Sequence, residues 1–409
     1  MSAFGVMQSY YSHGFLDNES ASAISWIGSL QQFLDLALAA LGGHLLDRGY
    51  FRHVVVTGSV LFNLCLFMLS LAQPHHYYQV FLTQGLGMGA GVGLIYLPTS
   101  AVASQHFKKY KTFAIGLVMS GGSLGGFAFS IALNQLLNGS LSFGWAIRVT
   151  AFVATAPLLL GNLLIFEPPR HQTLLSPVPN EGSTPSRVEA ETESSEAVYD
   201  SEQTLDVQPT PINATPFWDR NYIFMLALGF SIGLGMWFPS SFVQSYAQQH
   251  NIDRQLAFYA LAIMNVSSGV GRILPNWFGD RWGPLDIYVI CLFCAGALEF
   301  AMLGCSTAYG LVLFTLSYGF FLGTTVSLYL PVVSLLSKDG VDVGKRMGVA
   351  LFPVGVASLI GNPVNGALVG KNSAWWKGVT LASVAMLTGA SLALILRLSR
   401  LRGPKRHSD

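Results

Sequence analysis

Eleven long apolar runs fix the class of this chain before any motif is read. They fall at 21–46, 53–72, 78–103, 112–137, 143–166, 219–247, 257–278, 285–305, 308–336, 347–370 and 375–398. Each reaches the ~20 residues a helix needs to cross the hydrocarbon core of a bilayer. Backbone groups cannot stay unpaired in lipid, so each run is expected to be a helix. Only 11% of the 409 residues are charged, against about 25% in a soluble domain. That is too little charge to wet a surface of this size, so the expected partner is the lipid bilayer, in a multi-pass arrangement with the plasma membrane as its expected site. The net charge of +1 points away from a nucleic-acid partner.

The remaining segments organise the runs. Residues 2–16 are apolar but short of a full span. Residues 167–217 are rich in Pro, Ser, Thr and Glu, lack aliphatic periodicity, and are expected to form a disordered linker. A basic tail occupies 399–409. Lys and Arg are strongly sided. Seventeen of the 22 lie on the side of the Asp47-Arg48 loop, four lie on the other side, and Arg272 sits within a span. By the positive-inside rule the linker and tail are cytoplasmic. Asn18 and Asn138 then lie outside, in N-x-S sequons open to glycosylation.

The two sets of runs repeat. Asp47-Arg48 recurs as Asp280-Arg281 (280 − 47 = 233), and Tyr96-Leu97-Pro98 as Tyr329-Leu330-Pro331 (329 − 96 = 233). A looser match relates Gln8-Ser9-Tyr10 to Gln244-Ser245-Tyr246 (244 − 8 = 236). Two parallel repeats of about six helices joined by a long linker resemble the major facilitator fold, which binds substrate near the midplane between its halves. The expected organisation is an all-α membrane protein. It has a six-helix bundle at 1–166, the linker at 167–217, a second bundle at 218–398 and the tail at 399–409. By the looser offset helix 1 would start before Met1, so its inner part is expected to be missing from the sequence.

Three groups of residues carry candidate function. Asp47 and Arg48, with their copies Asp280 and Arg281, form a conformational latch. The carboxylate accepts hydrogen bonds from a neighbouring helix N-terminus or an arginine and holds one face closed. Arg272 lies in an otherwise apolar or small run, where a charge costs at least ~2.5–3.5 kcal/mol unless it meets a partner or water. It is read as facing a cavity and an anionic small-molecule substrate, with a structural arginine bonded to helix 5 carbonyls as the alternative. Asp35 lies mid-span on a small, polar face with Gly28, Gln32, Ala39 and Gly43. Burial disfavours a charged carboxylate, which suits a proton site. Tyr96, Tyr329, Trp237, Gln244, Asn265 and Asn362 are candidate cavity liners. Glu299 is read as structural.

Other patterns have plainer readings. The glycines of Gly85–Gly93 lie inside a span and serve close helix packing rather than a dinucleotide. Cys291 and Cys294 lie on a lipid-depth helix and act as small apolar residues. No metal, cofactor or catalytic constellation is expected, and an enzyme is rejected.

The sequence around helices 4 and 5, His106-Phe107-Lys108-Lys109-Tyr110-Lys111 followed by Ala114, Gly116, Ser120, Gly121, Gly125 and Gly126, resembles the signature of the monocarboxylate-transporter family. Phe4-Gly5-Val6, Tyr11 and Ser25–Ser29 are similar to its fungal branch. The resemblance implies a twelve-helix secondary transporter, often moving an organic anion with a proton, and its substrate arginine matches Arg272. The acidic residue one turn earlier in animal carriers is Ser268 here. Their lysine late in helix 1 falls at about Ser2. These departures count against a lactate-type proton symporter and leave room for a bulkier or neutral substrate. The expected function is alternating-access transport of a small organic acid or metabolite, with export of a secondary metabolite as one form and proton-coupled monocarboxylate uptake as another. A reading from another class is a non-transporting receptor or an inactive truncated transporter.

Overall fold

The computed structural model describes residues 4–107, 109–137, 139, 141–165, 218–336, 343–370 and 374–401. Among these residues the chain is wholly helical. The expected linker and most of the tail lie outside them.

Helix α1 is short, Phe4–Tyr10, and widens into a π-helical turn over Tyr11–Phe15. It is followed by α2 (Ala21–Asp47) and α3 (Phe51–Leu69). α4 starts at Tyr77–Val80, widens over Phe81–Met88 and resumes over Gly89–His106. α5 is Lys111–Leu137 and α6 is Phe143–Leu164. α7 is in two pieces, Arg220–Gly235 and Phe238–Gln249, on either side of Met236-Trp237. Then come α8 (Arg254–Trp282), α9 (Pro284–Ala301), α10 (Ala308–Ser334), α11 (Val343–Val369) and α12 (Trp375–Leu401). Eleven of these spans are long and apolar enough to cross a membrane, all except the α1 segment.

Large apolar side chains point outward at Leu163, Leu313 and Phe152, and polar ones point in. This inversion is expected of a surface solvated by lipid. Helices 1–6 enclose an aromatic core around Tyr11, Phe15 and Phe143, with the Phe15 and Phe143 rings 4.2 Å apart. The early and late helices meet along two seams, α2 against α11 and α5 against α8.

Glycine sets how closely the helices approach. Gly89 and Gly93 lie against the α2 backbone at Gln31 and Leu34. On the α8–α10 seam, a Cβ added at Gly271 would overlap the Phe320 carbonyl, and one at Gly323 would overlap that of Ser268. Small residues permit such approach in membranes, where dispersion and polar contacts hold helices together. Gly121 on α5 is the opposite case, with open space where its Cβ would be. Gly271→Ala should therefore cost about 1–3 kcal/mol through overpacking and lower the melting temperature of the purified protein. Gly121→Ala should leave it unchanged. Equal melting temperatures for the two variants would contradict this packing.

Candidate functional site

A cavity of about 800 Å³ lies among helices from both repeats. Its walls are mostly apolar, with Leu66, Met88, Phe129, Leu133, Ile147 and Leu351 among them. Polar groups among its lining residues include Gln32 and Asp35 from α2, Tyr96 from α4, Trp237 at the α7 break and Arg272 from α8. The glycine-rich face of α5 (Gly121, Gly122, Gly125 and Gly126) also lines the cavity, with Gly122 beside Arg272 Nη1. A smaller cavity of about 70 Å³ shares Gln32, Trp237 and Arg272 and adds Gln8, Ser25, Asn265, Ser268 and Asn362. The partition between an apolar chamber and a polar one is thus built partly by Trp237 and Arg272.

Arg272 has a mixed environment. Its Nη1 donates to the Met119 carbonyl of α5 at 2.6 Å. Its Nε is buried with no hydrogen-bond partner. The helix 5 carbonyl bond and the cavity-facing position, weighed as alternatives from the sequence, are both present. Among the described residues the ion pairs are His75–Asp17, Arg346–Asp219 and Arg397–Asp286, so neither Arg272 nor Asp35 is neutralised in one. Asp35 is buried and its Oδ1 has no partner. Tyr96 lines the same cavity as Asp35 and Arg272. The Trp237 indole N–H is also buried without a partner. Arginine Nε–H and indole N–H can only donate. Two unmet donors at one cavity wall favour an acceptor-rich ligand group, since a buried donor left unpaired costs ~1–3 kcal/mol.

The other expected liners are placed unevenly. Tyr329 lines the large cavity, but its hydroxyl donates to the Ala350 carbonyl of α11 at 2.8 Å. Asn265 and Asn362 line the small cavity. Gln244 lines neither cavity. It stands one helical turn beyond Ser240 and Ser241, which line the small cavity. Gln31, Gln32, Thr99 and Thr325 line the large cavity without having been singled out as binding groups; polar side chains inside an apolar run were the available signal.

At one end of the bundle, Asp280 accepts hydrogen bonds from the backbone N–H groups of Thr112 (2.9 Å) and Phe113 (2.8 Å) at the start of α5. Asp47 accepts from the Lys345 N–H (2.9 Å) near the start of α11. Each aspartate thus caps a helix of the other repeat, and the partners keep the same offset (345 − 112 = 233). A carboxylate at a helix N-terminus satisfies free N–H groups and meets the positive end of the helix dipole. The arginines act differently. Arg281 lies over the Trp277 ring, 3.9 Å from its centre and one turn back on α8, and makes no ion pair among the described residues. This contact is cation–π stacking within one helix. Arg48 caps the C-terminus of α2. Asn18 is exposed, and its amide donates to the His75 carbonyl at 3.4 Å. Asn138 lies outside the described residues.

Comparison with known proteins gives a consistent result. The profile of the Major Facilitator Superfamily matches residues 2–341 and 225–409. The agnestins efflux protein AgnL12 of Paecilomyces divaricatus is 33% identical over 398 residues, covering 97% of this chain and 83% of that protein. The aspyridones efflux protein apdF of Emericella nidulans is 30% identical over 395 residues, covering 96% and 73%. Among solved structures, the fucose:proton symporter FucP of E. coli matches with a TM-score of 0.64 at 15% identity, covering 97% of this chain and 95% of that one.

Proposed function

The chain belongs to the Major Facilitator Superfamily of membrane transporters, and from that premise we propose that it exports an amphipathic organic acid by alternating access. The observation that carries this reading is the pairing of an unneutralised Arg272 with a large, mostly apolar chamber. The 800 Å³ volume falls in the ~300–1,000 Å³ range of pockets for drug-sized ligands. A lactate-sized acid would leave it largely empty. Arg272 and the Trp237 N–H bind the carboxylate, and the leucine- and phenylalanine-rich walls take the apolar body. Efflux of secondary metabolites, named for two relatives, supplies the direction. Within the superfamily we assign the chain to the fungal branch of the monocarboxylate-transporter-like family, on the helix 4–5 sequence, and to the plasma membrane. Asp47 and Asp280 are the inner latch that opens as the two halves rock.

The test is an untargeted comparison of culture medium from a metabolite-producing host with and without the gene. The expected result is gene-dependent release of one or more anionic metabolites of several rings or a long apolar body. Release of neutral compounds alone would overturn the anion-binding part of the reading.

Asp35 is the proton-coupling residue of this proposal, because it shares the chamber with Arg272 and has no cation partner in an ion pair among the described residues. Replacing it with asparagine keeps the size and removes the titrating group. Flux measured between pH 5.5 and 8 should vary with pH in the wild type and be flat in Asp35→Asn. Matching profiles would remove Asp35 from the coupling step.

A further inference from the structure

Helix α7 breaks at Met236-Trp237, and the break is held by side chains from the two helices behind it. Pro239, just beyond the break, has no N–H to offer the Gly235 carbonyl, so the helical ladder is interrupted there. The next carbonyl along, that of Met236, accepts from the Tyr318 hydroxyl of α10 at 2.8 Å. The same hydroxyl lies 2.7 Å from Oε1 of Glu299 on α9. All three residues are buried, and Glu299 is 1% exposed. Glu299 lines neither cavity and enters none of the ion pairs among the described residues.

Counting protons decides what this row of oxygens must be. A carbonyl only accepts, and a tyrosine hydroxyl carries one proton. Two contacts at 2.8 and 2.7 Å need two protons between three oxygens. If Tyr318 donates to Met236, the proton on the other contact must come from Glu299. An ionised Glu299 would leave two acceptors facing one hydroxyl proton. It would also bury a charge beside an Oε2 that has no partner, a costly arrangement.

We propose that Glu299 is a neutral carboxylic acid which donates to Tyr318, and that this relay clamps the break in α7 and holds Trp237 in the partition between the two cavities. Glu299 is then a positioning residue, acting through Tyr318 and the Met236 backbone. In Glu299→Gln the amide N–H replaces the acid O–H as donor to Tyr318, so the relay survives. In Tyr318→Phe it is lost.

The test is infrared and fluorescence spectroscopy of the purified full chain in liposomes at pH 7, without substrate, so its outcome is separate from that of the transport reading. Wild type minus Glu299→Gln should show a carboxylic-acid C=O band, and Tyr318→Phe should shift that band. The emission of Trp237, isolated by difference against Trp237→Phe, should be the same in wild type and Glu299→Gln and shifted in Tyr318→Phe and Glu299→Ala. The proposal is overturned if the wild type minus Glu299→Gln difference has no acid band, or if Glu299→Gln moves Trp237 emission as far as Glu299→Ala does. Should Glu299→Gln not fold, the band shift in Tyr318→Phe decides, and an unshifted band overturns the relay.

Discussion

Arg272→Ala reduces export of the acidic cargo by about 10- to 100-fold or more while the protein still folds. The size follows from the contact removed. A hydrogen bond to a charged group is worth ~1.5–3 kcal/mol, and truncating one side of a buried charge pair costs ~2–5 kcal/mol. At 1.4 kcal/mol per factor of ten, the loss spans at least one to two orders of magnitude. Arg272 also holds the Met119 carbonyl, so stability and flux must be read separately. Melting temperature should fall modestly, because one neutral-acceptor bond is lost. Arg272→Lys keeps the charge but not the paired geometry of the guanidinium, and should recover folding with only part of the flux. If Arg272→Ala unfolds the protein and Arg272→Lys restores flux in full, the residue is a helix 5 tie and not a ligand.

The second large effect concerns the latch. Removing a carboxylate that caps a helix N-terminus costs about 0.5–2 kcal/mol. This moves the balance between inner-closed and inner-open states by about 2- to 30-fold per site. Asp280 accepts from the backbone N–H groups of Thr112 and Phe113, and Asp47 accepts from that of Lys345, so each alanine variant should shift the balance in the same direction. The two sites act on one closure, so their free energies should add. A single cysteine placed at Thr99, in a background without Cys65, Cys291, Cys294 and Cys305, lines the large cavity. Its alkylation from the inner face should be faster in Asp280→Ala, and faster again in the Asp47→Ala, Asp280→Ala double variant. An unchanged rate in the double variant would show that the caps do not hold the inner face shut.

What the sequence revealed depended on whether the signal was local. Spans were legible because lipid demands apolar residues over a fixed length: α5 was expected at 112–137 and is Lys111–Leu137. The aspartates of the latch were legible through the repeat. A helix N-terminus was expected as one kind of partner, but that Thr112 and Lys345 supply it through their backbone N–H groups is announced by no residue type. The setting of Arg281 was not legible, because the aromatic ring that takes its guanidinium lies one turn back on the same helix. Tyr329 was found as a liner, but its hydroxyl bond to Ala350 crosses to another helix. Gln244 shows the limit of reading residue type alone, since it lines neither cavity. The break in α7 had a visible signal in Pro239 that was not used. The Glu299–Tyr318 relay needed three-dimensional contact between α9 and α10 before its proton count could be made.

The central claim is that Arg272 recognises a carboxylate inside the chamber. It is tested most directly by comparing export of the acidic cargo and its methyl ester in wild type and Arg272→Ala. The account predicts that wild type prefers the acid by about tenfold or more and that Arg272→Ala has no preference. The same acid-over-ester preference in both proteins would contradict it.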